Sequence, residues 1–257
     1  MAEGDTILRA ARRIAAALAG EELSVTAPNP RGRAAQVEEL DGRRLNTVEA
    51  RGKHLLFDFG EAVLHSHLGM NGSWRVAPDS TALGRPISSA WVVLEGEERL
   101  AGQFGGPTLR VLSRQQLLVD PVLSRLGPDV LAADLDLEAA VRTLRTAPEK
   151  EIGDALLDQR LIAGIGNIFK SEACFAARLD PWRHTGELDD ERLRRIVESA
   201  HKLMLAAVEN GRTDRAVYRR AGRPCRVCGT PILSRGQGDA NRTTYWCPTC
   251  QARPTAG

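Results

Sequence analysis

Two cysteine pairs near the end of the chain constrain its fold more than any other feature. Cys225-Arg-Val-Cys228 and Cys247-Pro-Thr-Cys250 are separated by eighteen residues, which fits the C-x2-C-x15–20-C-x2-C spacing of a structural zinc site. With each pair on a tight turn, four thiolates close a tetrahedron around one structural Zn²⁺. A rubredoxin-like iron site uses the same ligand set, but the arginine-rich stretch around the pairs gives no hint of redox work. Residues 231–233 and 243–246 have strand character, so the pairs predict a β-hairpin finger. Four of the five cysteines fall in the last 33 residues, a distribution that argues for a metal site and against a disulfide framework. Cys174, the fifth, reads as a buried small hydrophobe.

The charge distribution points the same way. Residues 212–257 hold nine Arg and no Lys against Asp214 and Asp239, a net of +7, which leaves −5 for the rest of a chain whose total is +2. Arginine without lysine suits bidentate phosphate recognition, because the guanidinium fork matches phosphate oxygens. With 257 residues, 42% hydrophobic and 26% charged, the chain has room for one large or two ordinary globular domains. No apolar run approaches the ~18–20 residues of a membrane span, and Arg9, Arg12 and Arg13 interrupt any signal-peptide pattern. These features predict a cytoplasmic protein, and a monomer is expected.

Along the chain, Ile7, Leu8, Ala11, Ile14, Ala15 and Leu18 form a stripe of period 3.6 ending at Gly20, an amphipathic helix of about fourteen residues capped by Asp5 or Thr6. Short apolar segments follow at 55–59, 62–67, 91–94, 109–112 and 117–119, with glycine and proline turns between them; they predict a β-sandwich or barrel. Asp120-Pro121 and Gly127-Pro128 mark a change to helical periodicity. Helices are expected over 135–145 and 151–159, from Asn167, and from Asp189 to about Asn210. The fold class is α+β: an N-terminal β-sandwich with flanking helices over 1–120, a linker over 121–134, a helical domain over 135–211, and a basic segment with the finger over 212–257.

Four further stretches carry chemistry. Removal of Met1 before a small second residue would place a free α-amino group on Ala2 beside the carboxylate of Glu3; with a pKa near about 8, part of such an amine is unprotonated at neutral pH and nucleophilic. In Leu161-Ile-Ala-Gly-Ile-Gly-Asn167-Ile, Gly164 and Gly166 permit a close turn and Asn167 is placed to cap the next helix, whose N-terminal N–H groups suit a phosphate; a plain helix–helix turn needs the same glycines. Lys53 stands just before a strand in Arg51-Gly-Lys-His-Leu-Leu56. Met70 rides a glycine loop, either as packing or, against duplex DNA, as a wedge entering the base stack. His65 and His67, without acidic or cysteine neighbours, read as core or hydrogen-bonding histidines.

The combination of Ala-Glu-Gly-Asp-Thr at the start, Arg-Gly-Lys-His-Leu-Leu, His-Leu-Gly-Met-Asn-Gly, Leu-Leu-Asp-Gln-Arg-Leu-Ile-Ala-Gly-Ile-Gly-Asn-Ile and a finger ending Tyr-Trp-Cys-Pro-Thr-Cys-Gln resembles the formamidopyrimidine-DNA glycosylase / endonuclease VIII family over nearly the whole chain. The resemblance implies a base-excision-repair glycosylase with lyase activity, its helical domain a helix-two-turn-helix, and double-stranded DNA with a damaged base or abasic site held in the cleft between domains. By position, Ala2 would be the nucleophile, Glu3 the general acid/base, Lys53 a phosphate contact near the reaction and Met70 the wedge for a flipped base. Asn167 and Arg242 would hold phosphates, and Cys225, Cys228, Cys247 and Cys250 the zinc. Two departures matter. The family's usual second residue is proline, whose ring fixes the amine and gives an obligatory iminium, so a non-catalytic binder of damaged or abasic DNA stands as the alternative. The arginine-phenylalanine loop of the formamidopyrimidine branch is replaced by Gly102-Gln-Phe-Gly-Gly-Pro107, which points to the endonuclease VIII-like branch and to oxidised pyrimidines.

Overall fold

The computed structural model describes residues 2–252, and its chain divides into two compact units, Met1–Arg125 and Leu126–Gly257. The first unit opens with helix α1 (Gly4–Leu18), whose N-cap is Glu3. The anticipated caps, Asp5 and Thr6, lie inside the first turn, where Asp5 pairs instead with Arg9 at 3.1 Å. Ile7, Ile14 and Leu18 are buried along one face of α1.

Strands β1 (Glu22–Thr26), β2 (Arg43–Arg44), β3 (Thr47–Arg51), β4 (His54–Asp58), β5 (Ala62–His67), β6 (Ser73–Ala77), β7 (Val92–Glu95), β8 (Leu100–Phe104) and β9 (Thr108–Ser113) form two antiparallel sheets. Their orders are β2-β1-β7-β8-β6 and β3-β4-β5-β9. A short helix α2 (Pro30–Ala34), capped by the Asn29 side chain, follows β1. Ile7 and Ile14 of α1, Leu23, Val92 and Leu94 of one sheet and Leu55, Phe57 and Leu64 of the other share a single core cluster, as a sandwich requires. Trp74 ties the sheets together: its ring lies 4.7 Å from that of Phe57, and its indole N–H donates to Ser66 Oγ at 3.1 Å.

Residues 117–119, expected as a strand, belong instead to the end of helix α3 (Arg114–Leu118) and its C-cap. Ser113 and Gln116 form a capping box, with Ser113 Oγ accepting from Gln116 N and Gln116 Oε1 from Ser113 N. That reciprocal pair nucleates a turn of helix whatever the β propensity of Leu117-Leu118-Val119.

The second unit holds α4 (Leu137–Arg145), α5 (Ile152–Ala155), α6 (Asn167–Ala176) and α7 (Asp190–Asn210). Asp136 and Asp189 cap α4 and α7 through their side chains, and Gly211 ends α7 in the left-handed conformation at φ +69°. Residues 151–159 do not make one helix. The carboxylate of Asp158 accepts from the N–H of Arg160 at 3.1 Å and from Lys150 at 2.7 Å, a local turn that competes with helical hydrogen bonding. The helix-two-turn-helix is α5, the turns that follow it, and α6. Val141, Leu144, Ile152, Phe169, Ile196 and Met204 meet in the core of this unit. Strands β10 (Leu233–Gln237) and β11 (Arg242–Trp246) pair antiparallel as the finger hairpin, and β11 packs on α6.

Candidate active site and nucleic-acid interface

In the first unit, the turn at one end of the four-stranded sheet gathers the N-terminal candidates. β3 and β4 are joined by a two-residue turn, Gly52-Lys53, across the pair Arg51 and His54. Gly52 has φ +58°, as such hairpin turns demand of their first residue. His54 pairs in turn with His67, the last residue of β5. The loop leaving β5 closes on itself, with Gly72 N donating to Leu68 O at 2.8 Å, and the amide N of Ala2 donates to Gly69 O at 3.4 Å. The chain terminus, the Lys53 turn and the Met70 loop are thereby adjacent.

Glycine is required in that loop. Gly69 has φ +58°, and a Cβ at Gly72 would stand 2.5 Å from Leu68 O and 2.9 Å from Gly106 Cα. Met70 projects from it with 62% of its surface exposed. The opposing connection from β8 to β9 is only Gly105-Gly106-Pro107, too short to extend a recognition loop of its own. Glu3 is buried at the start of α1 and its side chain does not cap the helix; the helix N-terminus favours a negative charge there. The state of Met1 lies outside the described residues.

Behind the Lys53 turn runs a polar chain that sequence reading missed. Asp120 accepts from the Val122 and Leu123 N–H groups at 3.1 and 2.9 Å and pairs with the Arg110 guanidinium at 2.6 Å. Burial opposes its ionisation, but the Leu123 and Val122 bonds and Arg110 hold its carboxyl below the usual range. Arg110 Nε donates to His65 Nδ1 at 3.0 Å, and His65 Nε2 stands 2.8 Å from His54 Nδ1. Since arginine only donates, His65 carries its proton on Nε2, and that N–H donates a hydrogen bond to His54 Nδ1. Burial, then the neighbouring positive groups, pushes His65 down to about 4 and His54 to about 3. His67, with its ring 4.7 Å from that of His54, is lowered by burial and by Lys53. His65 and His54 are thus neutral at pH 7, and His65 takes the hydrogen-bonding role read for it from the sequence.

In the second unit, Gln159 fastens the turn before α6. Its amide donates to Leu157 O and Ile165 O and accepts from Gly164 N at 2.9, 3.1 and 3.0 Å. Gly164 takes φ +98°. The N-cap of α6 is Gly166, so Asn167 is the first helical residue and not the cap. Its side chain reaches β11 instead, where Nδ2 donates to Thr243 O at 2.8 Å. Asn167 Oδ1 is buried without a hydrogen-bond partner among the described residues. Arg242, the neighbour of Thr243, is exposed at the start of β11. Lys170, fully buried one turn further along α6, donates to Thr244 Oγ1, and Thr244 donates to Gln237 Oε1 at 2.7 Å. Charged residues on the buried face of α6, Lys170 and Glu172 among Phe169, Ala173 and Cys174, were the sequence signal for this network.

The four finger cysteines bring their sulfurs within 4.8 Å of one another. Cys225 and Cys250 are 3.8 Å apart and Cys228 and Cys247 3.5 Å. A tetrahedral ion with Zn–S bonds of about 2.3 Å requires S···S edges near ~3.8 Å. The N–H groups of Val227 and Cys250 point at Cys225 and Cys247 sulfurs, each at 3.4 Å, as thiolate acceptors would draw them. The donor set fits a structural zinc. Cys174 stands apart, its thiol pushed up to about 12 by burial.

A two-unit chain with a sandwich, a helix-two-turn-helix and a four-cysteine hairpin defines a class of DNA-repair proteins, and comparison agrees at each part. The N-terminal domain of formamidopyrimidine-DNA glycosylase matches residues 1–103, its H2TH domain residues 126–218, and the zinc finger found in FPG and IleRS residues 222–253. The chain belongs to the formamidopyrimidine-DNA glycosylase / endonuclease VIII family, on its endonuclease 8-like side. It is 43% identical to the probable endonuclease 8 2 of Streptomyces coelicolor, with 99% of this chain and 95% of that protein covered. It is 37% identical to the DNA-(apurinic or apyrimidinic site) lyase Nei2 of Mycolicibacterium smegmatis, over 98% and 99%. Among solved structures, the MutM (Fpg) protein of Thermus thermophilus superposes with a TM-score of 0.80 at 30% identity, covering 98% of this chain and 99% of that one. The Lactococcus lactis formamidopyrimidine-DNA glycosylase bound to DNA containing an AP site gives 0.83 at 25% identity, covering 98% and 100%. No helix among the described residues is long and apolar enough to cross a membrane.

Proposed function

We propose that this protein is a DNA glycosylase with AP lyase activity that removes oxidised bases, pyrimidines in particular, from duplex DNA. Residues 1–120 form the catalytic domain, joined through 121–134 to the helical domain over 135–211 and the basic segment and finger over 212–257. The protein acts as a cytoplasmic monomer with one structural Zn²⁺ on Cys225, Cys228, Cys247 and Cys250. What most supports the reading is the adjacency of Ala2, the Lys53 turn and the Met70 loop at one sheet end.

With Met1 removed, the Ala2 amine attacks C1′ of the damaged nucleotide while the base departs with the bonding electron pair. Glu3 supplies and removes protons at the sugar as the ring opens to an imine. The imine acidifies the neighbouring sugar C–H; loss of that proton expels the phosphate on the next carbon and breaks the strand. Lys53 holds a phosphate close to the reaction, Met70 fills the space left by the flipped base, and Asn167 and Arg242 grip the phosphates around it.

Alanine in place of the family's proline favours a second reading, a damaged- or abasic-DNA-binding protein without catalysis. Borohydride added with an abasic or thymine-glycol duplex decides between them. Trapping of a covalent adduct on the Met1-processed chain is expected. Tight binding without adduct, base release or nicking, under conditions where an Ala2→Pro variant traps, would establish the binder and exclude Ala2 as nucleophile.

A further inference from the structure

The segment between α7 and the finger holds a feature that neither the catalytic end nor the Asn167–Arg242 pair uses. Glu172, buried on α6, accepts three successive backbone N–H groups, from Ala216 at 2.8 Å, Val217 at 3.1 Å and Tyr218 at 2.7 Å. Val217 and Tyr218 are buried beneath, and Tyr218 stands edge-on to Tyr245 of β11 at 5.1 Å. Immediately after this anchor, Arg219 adopts φ +57°, a left-handed conformation that costs energy for a residue with a Cβ.

The result is that two guanidinium groups converge on one ring. Arg215 lies 5.3 Å and Arg219 5.7 Å from the Tyr218 centroid. Both arginines are exposed, and neither makes an ion pair among the described residues; Asp214, beside Arg215 in sequence, is engaged by Arg226 at 3.0 Å, and the Glu172 carboxylate is occupied by the three backbone N–H groups. Two cations held against one ring repel each other, and a bound anion relieves that repulsion. The tyrosine face offsets part of the repulsion, and the buried carboxylate of Glu172 fixes the backbone that sets their spacing.

We propose that Arg215 and Arg219, mounted on Tyr218, form a second phosphate clasp that grips the backbone of duplex DNA apart from the Asn167–Arg242 site. Tyr245, edge-on to Tyr218, is three residues from Arg242 on β11, so about 10 Å of strand separates the clasp from the Arg242 position. Guanidinium forks match phosphate oxygens bidentately, and the clasp contributes affinity without reading sequence. It rests on the DNA-repair reading and adds a site to it.

Salt dependence of binding tests it, using the full zinc-loaded chain and a duplex containing an abasic-site analogue. Each phosphate contact on B-DNA contributes about 0.9 to the slope of log K against log salt concentration. An Arg215→Gln/Arg219→Gln variant is expected to bind more weakly, with its slope shallower by about 1.8, while Arg195→Gln on α7, which removes an arginine already paired with Glu191, leaves the slope unchanged. Arg219→Gly relieves the left-handed strain, so it should lose about 0.9 of slope without any fall in thermal midpoint. An unchanged slope in the double variant, or an equal loss in Arg195→Gln, overturns the clasp while leaving the DNA-repair reading intact. A wild-type chain that fails to bind the duplex overturns that reading instead.

Discussion

Asn167 on α6 donates from Nδ2 to the carbonyl oxygen of Thr243 at 2.8 Å, one residue beyond Arg242, so the helix N-terminus and the finger arginine are fixed to each other before any ligand arrives. Two groups proposed to bind phosphate, from elements 75 residues apart in sequence, are thereby preorganised, which lowers the cost of ordering them on binding. Arg242→Ala and Asn167→Ala should each weaken abasic-duplex binding roughly ten- to hundredfold, the worth of a charge-assisted hydrogen bond. Asn167→Asp should be worse than alanine, because it sets a carboxylate against both the Thr243 carbonyl and the phosphate. A double-mutant cycle on Asn167 and Arg242 should return a coupling of about 1 kcal/mol; strict additivity would show the Thr243 bond to be incidental.

Metal removal should act on the finger alone at first. Trp246 precedes Cys247 and stands edge-on to Trp182 at 5.4 Å, and Arg235 lies 3.8 Å over the Trp182 ring. Chelation should therefore change tryptophan fluorescence together with release of zinc. Four thiols should become titratable by a thiol reagent and the fifth, Cys174, should stay unreactive, because it is fully buried with its thiol at about 12. Five reactive thiols in the chelated but otherwise folded chain would contradict this.

The polar chain from Asp120 to His54 predicts acid sensitivity. His65 and His54 titrate near 4 and 3 in the folded protein against an ordinary 6.5, so below pH 6.5 the unfolded chain takes up protons that the folded chain refuses. Stability is fully present above about 6.5 and falls as pH drops toward 4, by on the order of 2 kcal/mol for each buried histidine at pH 5. Thermal midpoints measured from pH 7.5 to 4.5 should show the decline. His54→Gln keeps an acceptor for His65 Nε2 without a titrating ring and should make the decline shallower; an identical pH profile in the variant would assign the sensitivity elsewhere.

The parts of this protein legible in sequence are those whose chemistry is local. The cysteine spacing fixed the hairpin, and the 3.6-period stripes of α1 and α7 fixed those helices, because a turn or a helix face is specified by residues a few positions apart. β8 was invisible: Leu100-Ala-Gly-Gln-Phe104 is buried throughout, so it has no alternation to read. The 117–119 segment misled because a capping box outweighs β propensity. The His65–His54 and Arg110–Asp120 contacts were unreadable for another reason. They depend on the register of β4, β5 and β9, which pairing across the sheet decides. Ala2 and Met70 were singled out by local chemistry and loop context, the roles of Ala2, Lys53 and Met70 came from motif resemblance, and their adjacency required the same register.

Glu172 offers the sharpest separation between anchoring and binding. Its two carboxylate oxygens accept from Ala216, Val217 and Tyr218, and Gln in its place would turn an NH₂ donor toward one or more of these N–H groups. A buried donor left unpaired costs about 1–3 kcal/mol, so Glu172→Gln should lower the thermal midpoint by roughly 5 °C. The loss should be local. Amide exchange at 216–218 should accelerate, and limited trypsin digestion should cut after Arg215 and Arg219, bonds that the nested backbone withholds from the protease in the parent. Because no arginine is removed, weaker DNA binding in this variant would report the geometry of the segment and not its charge; a parent-like digestion pattern would show that the segment keeps its shape without the carboxylate.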